Sequence, residues 1–427
     1  MNQHDGLWEA NRTYKVLKAI GSPYGVLPKT DTNNWGPRAG MAWDLRGDGA
    51  RVVRASYGRY YLIGIKNAYY TAAIQDKPTL FITQTTANSA IGVGALANFV
   101  YGVTPLPPVP KNVTDLPPGG NNVGYWYDPN LQDFQTDQFA AGYSHVLGRD
   151  TVLSFDYSHY LGRNGWRTLN INPLLPDPGN PAGARIRPLA ADLQRVYGDP
   201  RLLGITNILS SVNRSLYDEA IFHIERRFSS ATAIRADYVL AWARGMGGQT
   251  DGSTRRASPA PQTASATGGD IYAPWEWGYT PYDERHRVTL SGVLPLPLKF
   301  EVSPSLVLAS ARPYDQNRIQ NPSGDGNLRV LDSSGNPLPI DSARGQALVN
   351  ANARVTRVFP MPGQSRKLET FAEFYNITNR ANFGNIYGTN QFAPTTFNQP
   401  VGYLGGAGAV STLPNSFQVQ FGARYSF

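Results

Sequence analysis

The sequence predicts an all-β protein, an antiparallel transmembrane β-barrel of about 11 strands. Three features predict it. Apolar and polar side chains alternate along many short segments, short turns alternate with long connections, and the chain ends in a strand that stops on an aromatic residue. Because successive side chains of a strand point to opposite faces of the sheet, this alternation gives one apolar and one polar face.

The last strand shows the alternation most clearly. Its apolar positions are Phe417, Val419, Phe421, Ala423, Tyr425 and Phe427, and the positions between them are small, polar or charged. An ending of this kind resembles the C-terminal signal by which bacterial outer-membrane barrels are recognised and inserted. We therefore expect Phe421, Tyr425 and Phe427 to form an insertion signal for the barrel-assembly machinery.

Five further pairs of alternating segments are predicted hairpins. They cover residues 39–57, 139–157, 220–242, 288–308 and 353–374, with turns at Gly47-Asp48-Gly49, Gly148-Arg149-Asp150, Ser229-Ser230, Pro295-Leu296-Pro297 and 360–364. Long segments rich in Gly, Pro, Asn and aromatic residues separate them, near 66–133, 164–215, 245–284, 312–349 and 379–414. Such long loops are unusual inside a compact domain, but outer-membrane barrels combine short periplasmic turns with long extracellular loops.

Composition is consistent with a sheet that faces lipid. Charged residues make up 16% of the 427 residues, whereas soluble globular proteins have about a quarter. No apolar stretch approaches the roughly 18 residues of a membrane-spanning helix. The formal net charge of +8 would suit nucleic acid, but Lys and Arg are scattered without a binding motif, so we expect no nucleic-acid partner.

An odd number of strands does not close as a single-chain bacterial barrel. Residues 11–20 could supply a twelfth strand, but they alternate poorly. We expect residues 1–36 to form an extracellular loop or partial strand, and residues 37–427 to form the C-terminal part of a barrel of about 22 strands, the size of a plugged transporter. The absence of signal-peptide features in Met1 to Asp5 also favours a C-terminal part of a longer protein.

Several phrases of the sequence converge on one family. They are Asn33-Asn34-Trp35-Gly36-Pro37-Arg38-Ala39-Gly40, Arg54-Ala55-Ser56-Tyr57-Gly58-Arg59-Tyr60-Tyr61, Leu161-Gly162-Arg163, Asn170-Ile171-Asn172-Pro173, Asp283-Glu284-Arg285-His286-Arg287 and Glu373-Phe374-Tyr375-Asn376-Ile377-Thr378-Asn379-Arg380-Ala381-Asn382-Phe383. In order and spacing they resemble Oar-like TonB-dependent receptors. The resemblance implies a barrel in the bacterial outer membrane, embedded in its lipid, that imports a large or scarce extracellular ligand. It also implies energy from the TonB complex, through an N-terminal plug that this sequence does not show.

The polar faces of two hairpins carry opposed charges. A short turn would place Glu225 opposite Arg235 and His223 opposite Asp237, and the same logic places Arg354 opposite Glu373. We predict that these pairs face the lumen, where directly opposed unlike charges stabilise a strand pair by about 0.2–1 kcal/mol. Ordinary solvated pairs are favoured over a ligand site.

The string from Asp283 to Arg287 is the most enzyme-like part of the chain, because a His beside carboxylates could perform acid–base catalysis. Its predicted place at the outer rim favours a structural network instead, so we assign no catalytic residue. The histidines His4, His145, His159, His223 and His286 lack metal-ligand spacing, and the chain has no cysteine. We therefore expect no enzyme activity, metal site or cofactor.

Two aromatic loop clusters stand out. One contains Tyr125, Trp126 and Tyr127, and the other, between residues 272 and 279, contains Trp275 and Trp277. Exposed aromatic residues of this kind commonly hold sugars, peptides or siderophore-like ligands, and they also pack long loops together. We favour loop packing, with capture of an unknown ligand as the alternative.

Three functions stay open at this stage. The chain is the C-terminal half-barrel of a TonB-dependent transporter, a self-closing porin or surface adhesion barrel, or a soluble secreted β-protein acting on carbohydrate. The third is disfavoured by the terminal aromatic and by the lack of paired catalytic carboxylates. If the first is correct, the chain expressed alone should aggregate or stay out of the membrane, because lipid disfavours unpaired strand edges.

Overall fold

An antiparallel sheet dominates the protein. The computed structural model describes residues 8–62, 103, 114, 123–173, 175–176, 185–229, 232–246, 271–314, 316, 332–334, 338–362, 366–384, 387–388, 395–404, 410–411 and 416–427. Eleven long strands pair in chain order: β1 (Arg38–Asp44), β2 (Arg51–Leu62), β4 (Phe134–Leu147), β5 (Thr151–Asn170), β8 (Thr206–Ser229), β9 (Thr232–Gly245), β11 (His286–Leu296), β12 (Phe300–Ala309), β15 (Leu348–Pro360), β16 (Lys367–Tyr375) and β19 (Gln418–Ser426). The all-β prediction is confirmed.

Shorter elements lie in the connections. The described short strands are β3 (Gly124–Tyr127), β6 (Leu175–Pro176), β7 (Arg185–Ile186), β10 (Gly278–Tyr279), β13 (Pro313–Tyr314), β14 (Ala343–Arg344), β17 (Tyr403–Leu404) and β18 (Val410–Ser411), and the α-helices are α1 (Arg12–Ala19) and α2 (Ala190–Tyr197). β3 pairs parallel with β8 and β10 pairs with β9, which brings the main sheet to thirteen strands. In the described ranges, no helix has the length and apolar character needed to span a bilayer.

The predicted alternation of short and long connections is confirmed. At one end of the sheet, residues 45–50, 148–150, 230–231, 297–299 and 361–366 join the strands, and at the other end residues 63–133, 171–205, 246–285, 310–347 and 376–417 join them. Much of these long connections lies outside the described residues. Glycines make the first turns possible, since Gly47 and Gly148 have φ values of 76° and 67° in the left-handed region. Asp44 closes the first turn by accepting a hydrogen bond from the Gly49 amide at 2.6 Å.

Strand register agrees with the sequence prediction. Glu225 lies opposite Arg235 and His223 lies opposite Asp237 across β8 and β9. Arg354 lies opposite Glu373 across β15 and β16. Because a shift of one residue would move every side chain to the other face, these pairs fix which residues form the polar face of the sheet.

The apolar face of the sheet is exposed. Phe421 is 79% exposed, Tyr425 50% and Phe427 91%, and Trp43 on the first strand is 60% exposed. Aromatic rings on this face contact one another across strands, as Phe155 and Phe222 do at 4.9 Å. No second protein layer in the described residues covers these rings, which is the arrangement expected of a sheet that faces lipid.

Both edges of the sheet are open within the described part of the chain. β1 pairs with β2 alone, and β19 pairs with β16 alone. Every other long strand has a neighbour on each side. The backbone groups along the two outer edges therefore require partners from elsewhere if lipid surrounds them.

Residues 11–20 do not form a twelfth strand, so the partial-strand alternative for this region is wrong. They form α1, and the side chain of Asn11 caps it by accepting a hydrogen bond from the Tyr14 amide at 2.7 Å. Val16, Leu17 and Ile20 lie on one side of this helix and are buried. Ile20 follows Leu17 by three residues and Val16 by four, which places these side chains on one side of a helix. A strand would need spacings of two, so this segment alternates poorly as a strand.

A charge placed on the apolar face should destabilise the protein, and the same charge on the polar face should not. Leu290 lies near the middle of β11 on the apolar face, and Thr289 lies beside it on the polar face, opposite Asp237. We expect Leu290→Arg to cost roughly 2–4 kcal/mol, seen as loss of the urea-resistant outer-membrane fraction. Equal loss in the Thr289→Arg control would contradict the assignment of faces.

Candidate functional site

A small hydrophobic core lies at the long-loop end of the sheet. It joins α1, β3, α2 and the upper parts of β5 and β8. Trp126 and Tyr127 are each only 1% exposed, and the Trp126 ring packs against Trp8 at 5.6 Å and Tyr14 at 4.9 Å. Tyr125 is half-buried against the same cluster. This burial favours the loop-packing interpretation for all three aromatic residues and leaves no ligand access to Trp126 or Tyr127.

Buried polar side chains hold this core together. Asn172 donates to the carbonyls of Leu203 (3.0 Å) and Gly204 (2.8 Å) and accepts from the Leu189 amide at 2.9 Å. Arg12, 1% exposed, donates to the Leu202 carbonyl at 3.2 Å. The family-like phrase around Asn172 therefore has a structural role, because it satisfies backbone groups that the packed loops would otherwise bury without partners.

A cavity of about 770 Å³ opens at the same end of the sheet. Its lining combines apolar and polar groups: Leu161, Gly162, Arg163, Asn164, Ser211, Val212, Asn213, Arg214, Ser215, Leu216, Met246, Tyr272, Ala273, Glu276 and Trp277. Apolar walls with a few charged groups are typical of small-molecule binding sites. Of the five aromatic residues predicted for ligand capture, only Trp277 lines this cavity.

Ionic and aromatic contacts attach the loop wall of this cavity to the sheet. Glu276, on the short helical turn Pro274–Glu276, forms a buried ion pair with Arg167 of β5. Arg214 of β8 lies over the Tyr272 ring at 4.8 Å. Trp275 is half-buried, and its carbonyl accepts from the Ile340 amide at 3.2 Å. The wall that carries Trp277 is therefore positioned by the strands, which favours a cavity of fixed shape.

The string from Asp283 to Arg287 forms a rim network, as favoured from the sequence. Asp283 is 1% exposed, and its carboxylate accepts from Arg344 Nη2 at 2.7 Å and from the Ala243 amide at 2.8 Å. Glu284 accepts from Arg287 Nη1 at 2.8 Å and from Arg312 Nε at 2.7 Å. These bonds connect the upper ends of β9 and β11, β14 and the segment that follows β12.

Three arginines surround one tyrosine in this network. The guanidinium groups of Arg344, Arg285 and Arg244 lie 4.6, 5.2 and 5.4 Å from the centre of the Tyr279 ring. Hydrogen bonding from Arg285, followed by the charges of Arg285 and Arg244, lowers the pKa of Tyr279 below its usual value. Stacked guanidinium groups keep their N–H donors available, so one ring can organise several charges.

Within the rim network, the described residues offer no acid–base pair of the kind that an active site requires. Both carboxylates of the rim network bind arginines, and His286 instead shares a hydrogen bond with the Tyr238 hydroxyl at 2.8 Å. Within the described ranges, no group of three or more His, Asp or Glu side chains is placed to hold a metal ion.

The charged residues that were predicted to pair on the polar face also bind further partners, so they form networks. Asp237 binds both His223 at 2.6 Å and Arg235 at 3.1 Å. The carboxylate of Glu225, although opposite Arg235, binds Arg227 at 3.0 Å on its own strand.

On the next part of the polar face, one arginine bridges two carboxylates. Arg354 binds Glu373 at 3.2 Å and Glu369 at 3.0 Å. Its guanidinium also lies 3.9 Å from the centre of the Phe371 ring. The strand register therefore predicted which residue lies opposite each charge. It did not predict that one arginine would bind two carboxylates.

Two charge pairs on the apolar face were missed from the sequence. Arg59 donates to Asp137 at 2.7 Å, and the His159 ring lies 2.7 Å from Asp218. All four residues occupy apolar-face positions near the long-loop ends of their strands. The signal that could have identified them is a charge breaking the apolar alternation at matching positions on adjacent strands.

A comparison with protein-family models identifies an outer-membrane domain. A family model described as "Outer membrane beta barrel domain" matches residues 5–307. No curated protein sequence matches the chain.

Solved structures with similar folds include three outer-membrane proteins. The outer membrane transporter YddB from Escherichia coli has a TM-score of 0.46 and 10% identity, covering 90% of this chain and 39% of that one. The siderophore receptor PiuA from Acinetobacter baumannii has a TM-score of 0.43 and 9% identity, covering 90% and 35%. The ferric enterobactin receptor from Pseudomonas aeruginosa has a TM-score of 0.44 and 9% identity, covering 92% and 40%. The chain thus spans between 35% and 40% of the length of these proteins.

Removal of the Asp283 carboxylate should loosen the rim network. Asp283→Ala removes the carboxylate that accepts from Arg344 Nη2 and from the Ala243 amide, at an expected cost of about 2–3 kcal/mol. We expect trypsin to cleave this rim on isolated outer membranes at least about tenfold faster. The control is Asp192→Ala, which removes an exposed carboxylate from the Arg195 pair. Equal cleavage of the two variants would show that the network contributes no local stability.

Proposed function

The chain belongs to the outer membrane beta-barrel domain family and lies in the bacterial outer membrane, and on that premise we propose that it forms the ligand-binding barrel wall of an outer-membrane receptor. The cavity of about 770 Å³ at the long-loop end is the observation that carries the proposal. The ligand would enter from the extracellular side, because outer-membrane barrels carry their long loops there.

The lining of the cavity suits a ligand with both polar and apolar parts. Trp277 and Tyr272 offer aromatic surface, and Arg163 and Arg214 offer cationic donors close to it. Such a combination binds planar or sugar-like groups together with anionic ones. Trp275 does not line the cavity. Its carbonyl accepts from the Ile340 amide and connects the loop to residues outside the cavity wall.

We assign this chain to the C-terminal half of a barrel of about 22 strands, a size at which outer-membrane barrels contain a plug. The two open edges of the sheet support the assignment. Further strands must cover the edges of β1 and β19, since lipid cannot hydrogen-bond to them. In the complete barrel the polar face, with Glu225, Arg235, His223, Asp237, Arg354 and Glu373, would line the lumen.

The finer assignment to Oar-like TonB-dependent receptors rests on the sequence phrases between residues 33 and 383. Under it, a plug placed outside this chain would contact the TonB complex and energise uptake of a large or scarce ligand. The terminal residues Phe421, Tyr425 and Phe427 would be recognised by the barrel-assembly machinery. The chain would act by binding and transport, without enzymatic chemistry.

Cysteine labelling tests where the cavity opens, because the chain has no native cysteine. Val212→Cys places a thiol in the cavity wall, and the control Ala50→Cys places one in the short turn that follows Asp44. In the complete barrel, an impermeant maleimide should label the first variant on intact cells, and the second only after the outer membrane is permeabilised. The reverse pattern would contradict both the extracellular cavity and the proposed orientation.

Expression of residues 1–427 behind a secretory signal tests the half-barrel assignment. Without strands to cover β1 and β19, we expect aggregation or failure to enter the outer membrane. Recovery of a heat-modifiable monomer would contradict the assignment and support a self-closing porin or adhesion barrel instead.

A further inference from the structure

Four basic side chains lie on the apolar face at the short-turn end of the sheet: Arg51, His145, Arg226 and Arg357. Arg51 lies directly opposite His145, and its Nε donates to His145 Nε2 at 3.1 Å. Arg226 lies opposite Thr151, and Arg357 lies opposite Phe300. We call these four residues the basic collar.

The arginines of the basic collar have no carboxylate partner among the described residues. Arginines at comparable depth on the polar face do have one, since Arg54 binds Asp156 at 3.1 Å and Arg227 binds Glu225 at 3.0 Å. On the apolar face near the opposite end, Arg59 is also paired, with Asp137. At the strand ends, near the membrane interface, an unpaired charge costs only about 0–1 kcal/mol, and anionic lipid headgroups are within its reach there.

Aromatic rings orient the collar arginines. Arg226 lies 4.6 Å from the centre of the Phe228 ring, and Arg357 lies 4.8 Å from Phe300 and 4.6 Å from Phe359. A guanidinium stacked in this way buries one surface and keeps its in-plane N–H donors available. Those donors match the paired oxygen atoms of a phosphate group.

An apolar groove of about 480 Å³ lies beside the collar. His145 lies in its wall, and Phe155, Phe222 and Ile224 are among the apolar residues that line it. Arg226 lies two residues after the groove residue Ile224, on the same face of β8 and nearer the turn. Charged donors at one end of an apolar groove match the two parts of a phospholipid.

We propose that the basic collar and this groove bind an acidic phospholipid of the periplasmic leaflet. The phosphate lies against Arg51, beside His145, and an acyl chain lies in the groove against Phe155 and Phe222. Arg226, three strands from Arg51 and about 14 Å away across the sheet, flanks the other side of the groove. The site rests on the proposed orientation, in which the short turns are periplasmic. Maleimide labelling at Ala50 tests that orientation independently, so that a failure of the lipid site and a failure of the orientation are distinguishable.

The preference of the protein for acidic over neutral phospholipid tests this site directly. The full-length protein is reconstituted in phosphatidylcholine bilayers that contain spin-labelled phosphatidylglycerol or spin-labelled phosphatidylcholine, and the motionally restricted fraction of each label is measured. Each cation near an acidic lipid surface contributes about 1 kcal/mol, or a factor of about five in affinity. We expect the wild-type protein to prefer phosphatidylglycerol, and Arg51→Gln with Arg226→Gln to lose about 25-fold in that preference.

Matched variants separate the site from general charge effects. Arg54→Gln with Arg227→Gln removes two charges from the same strands on the polar face and should leave the preference unchanged. Arg51→Lys with Arg226→Lys keeps the charge and should retain most of it. The proposal is overturned if the wild-type protein shows no preference, if the polar-face variant loses as much as the collar variant, or if spin-labelled lipid A displaces phosphatidylglycerol from the collar.

Discussion

A strand surrounded by lipid must find partners for its backbone N–H and C=O groups in neighbouring strands, because the hydrocarbon layer offers none. This constraint accounts for the antiparallel order of the eleven long strands, each paired to the next along the chain. It also explains why short turns suffice at one end, while the other end is free to carry long loops. The open edges of β1 and β19 are the place where this constraint remains unmet in the described residues.

The hairpins and their register could be predicted because the period of two residues is a local property. A short turn fixes which residues lie opposite, so Glu225 with Arg235 and Arg354 with Glu373 followed from counting. Ion pairing was harder to predict, because side chains select among several acceptors. Arg235 was predicted to pair with Glu225. It binds Asp237 instead, which lies two residues away on the same strand.

The long-loop end depends on contacts between residues far apart in sequence. Trp126 packs against Trp8 and Tyr14, and Asn172 binds Leu203, so no local pattern shows these contacts. The same holds for the cavity, whose wall depends on the buried pair of Arg167 with Glu276. Helix α1 is a different case, since its capping residue and helical spacing are local features of a segment for which only a loop or a partial strand was predicted.

Spin-label scanning along β19 tests the central claim, that a two-residue alternation marks a sheet in contact with lipid. Single cysteines at residues 417–426 of the full-length protein in outer-membrane lipid would each carry a nitroxide, whose accessibility to oxygen and to a water-soluble nickel complex is compared. We expect high oxygen accessibility at Val419, Phe421 and Ala423 and low accessibility at the residues between them. Uniform oxygen accessibility would show that the strand has no distinct lipid-facing side, and protection of Phe421 from both reagents would show that protein covers this face. Either result would contradict the account.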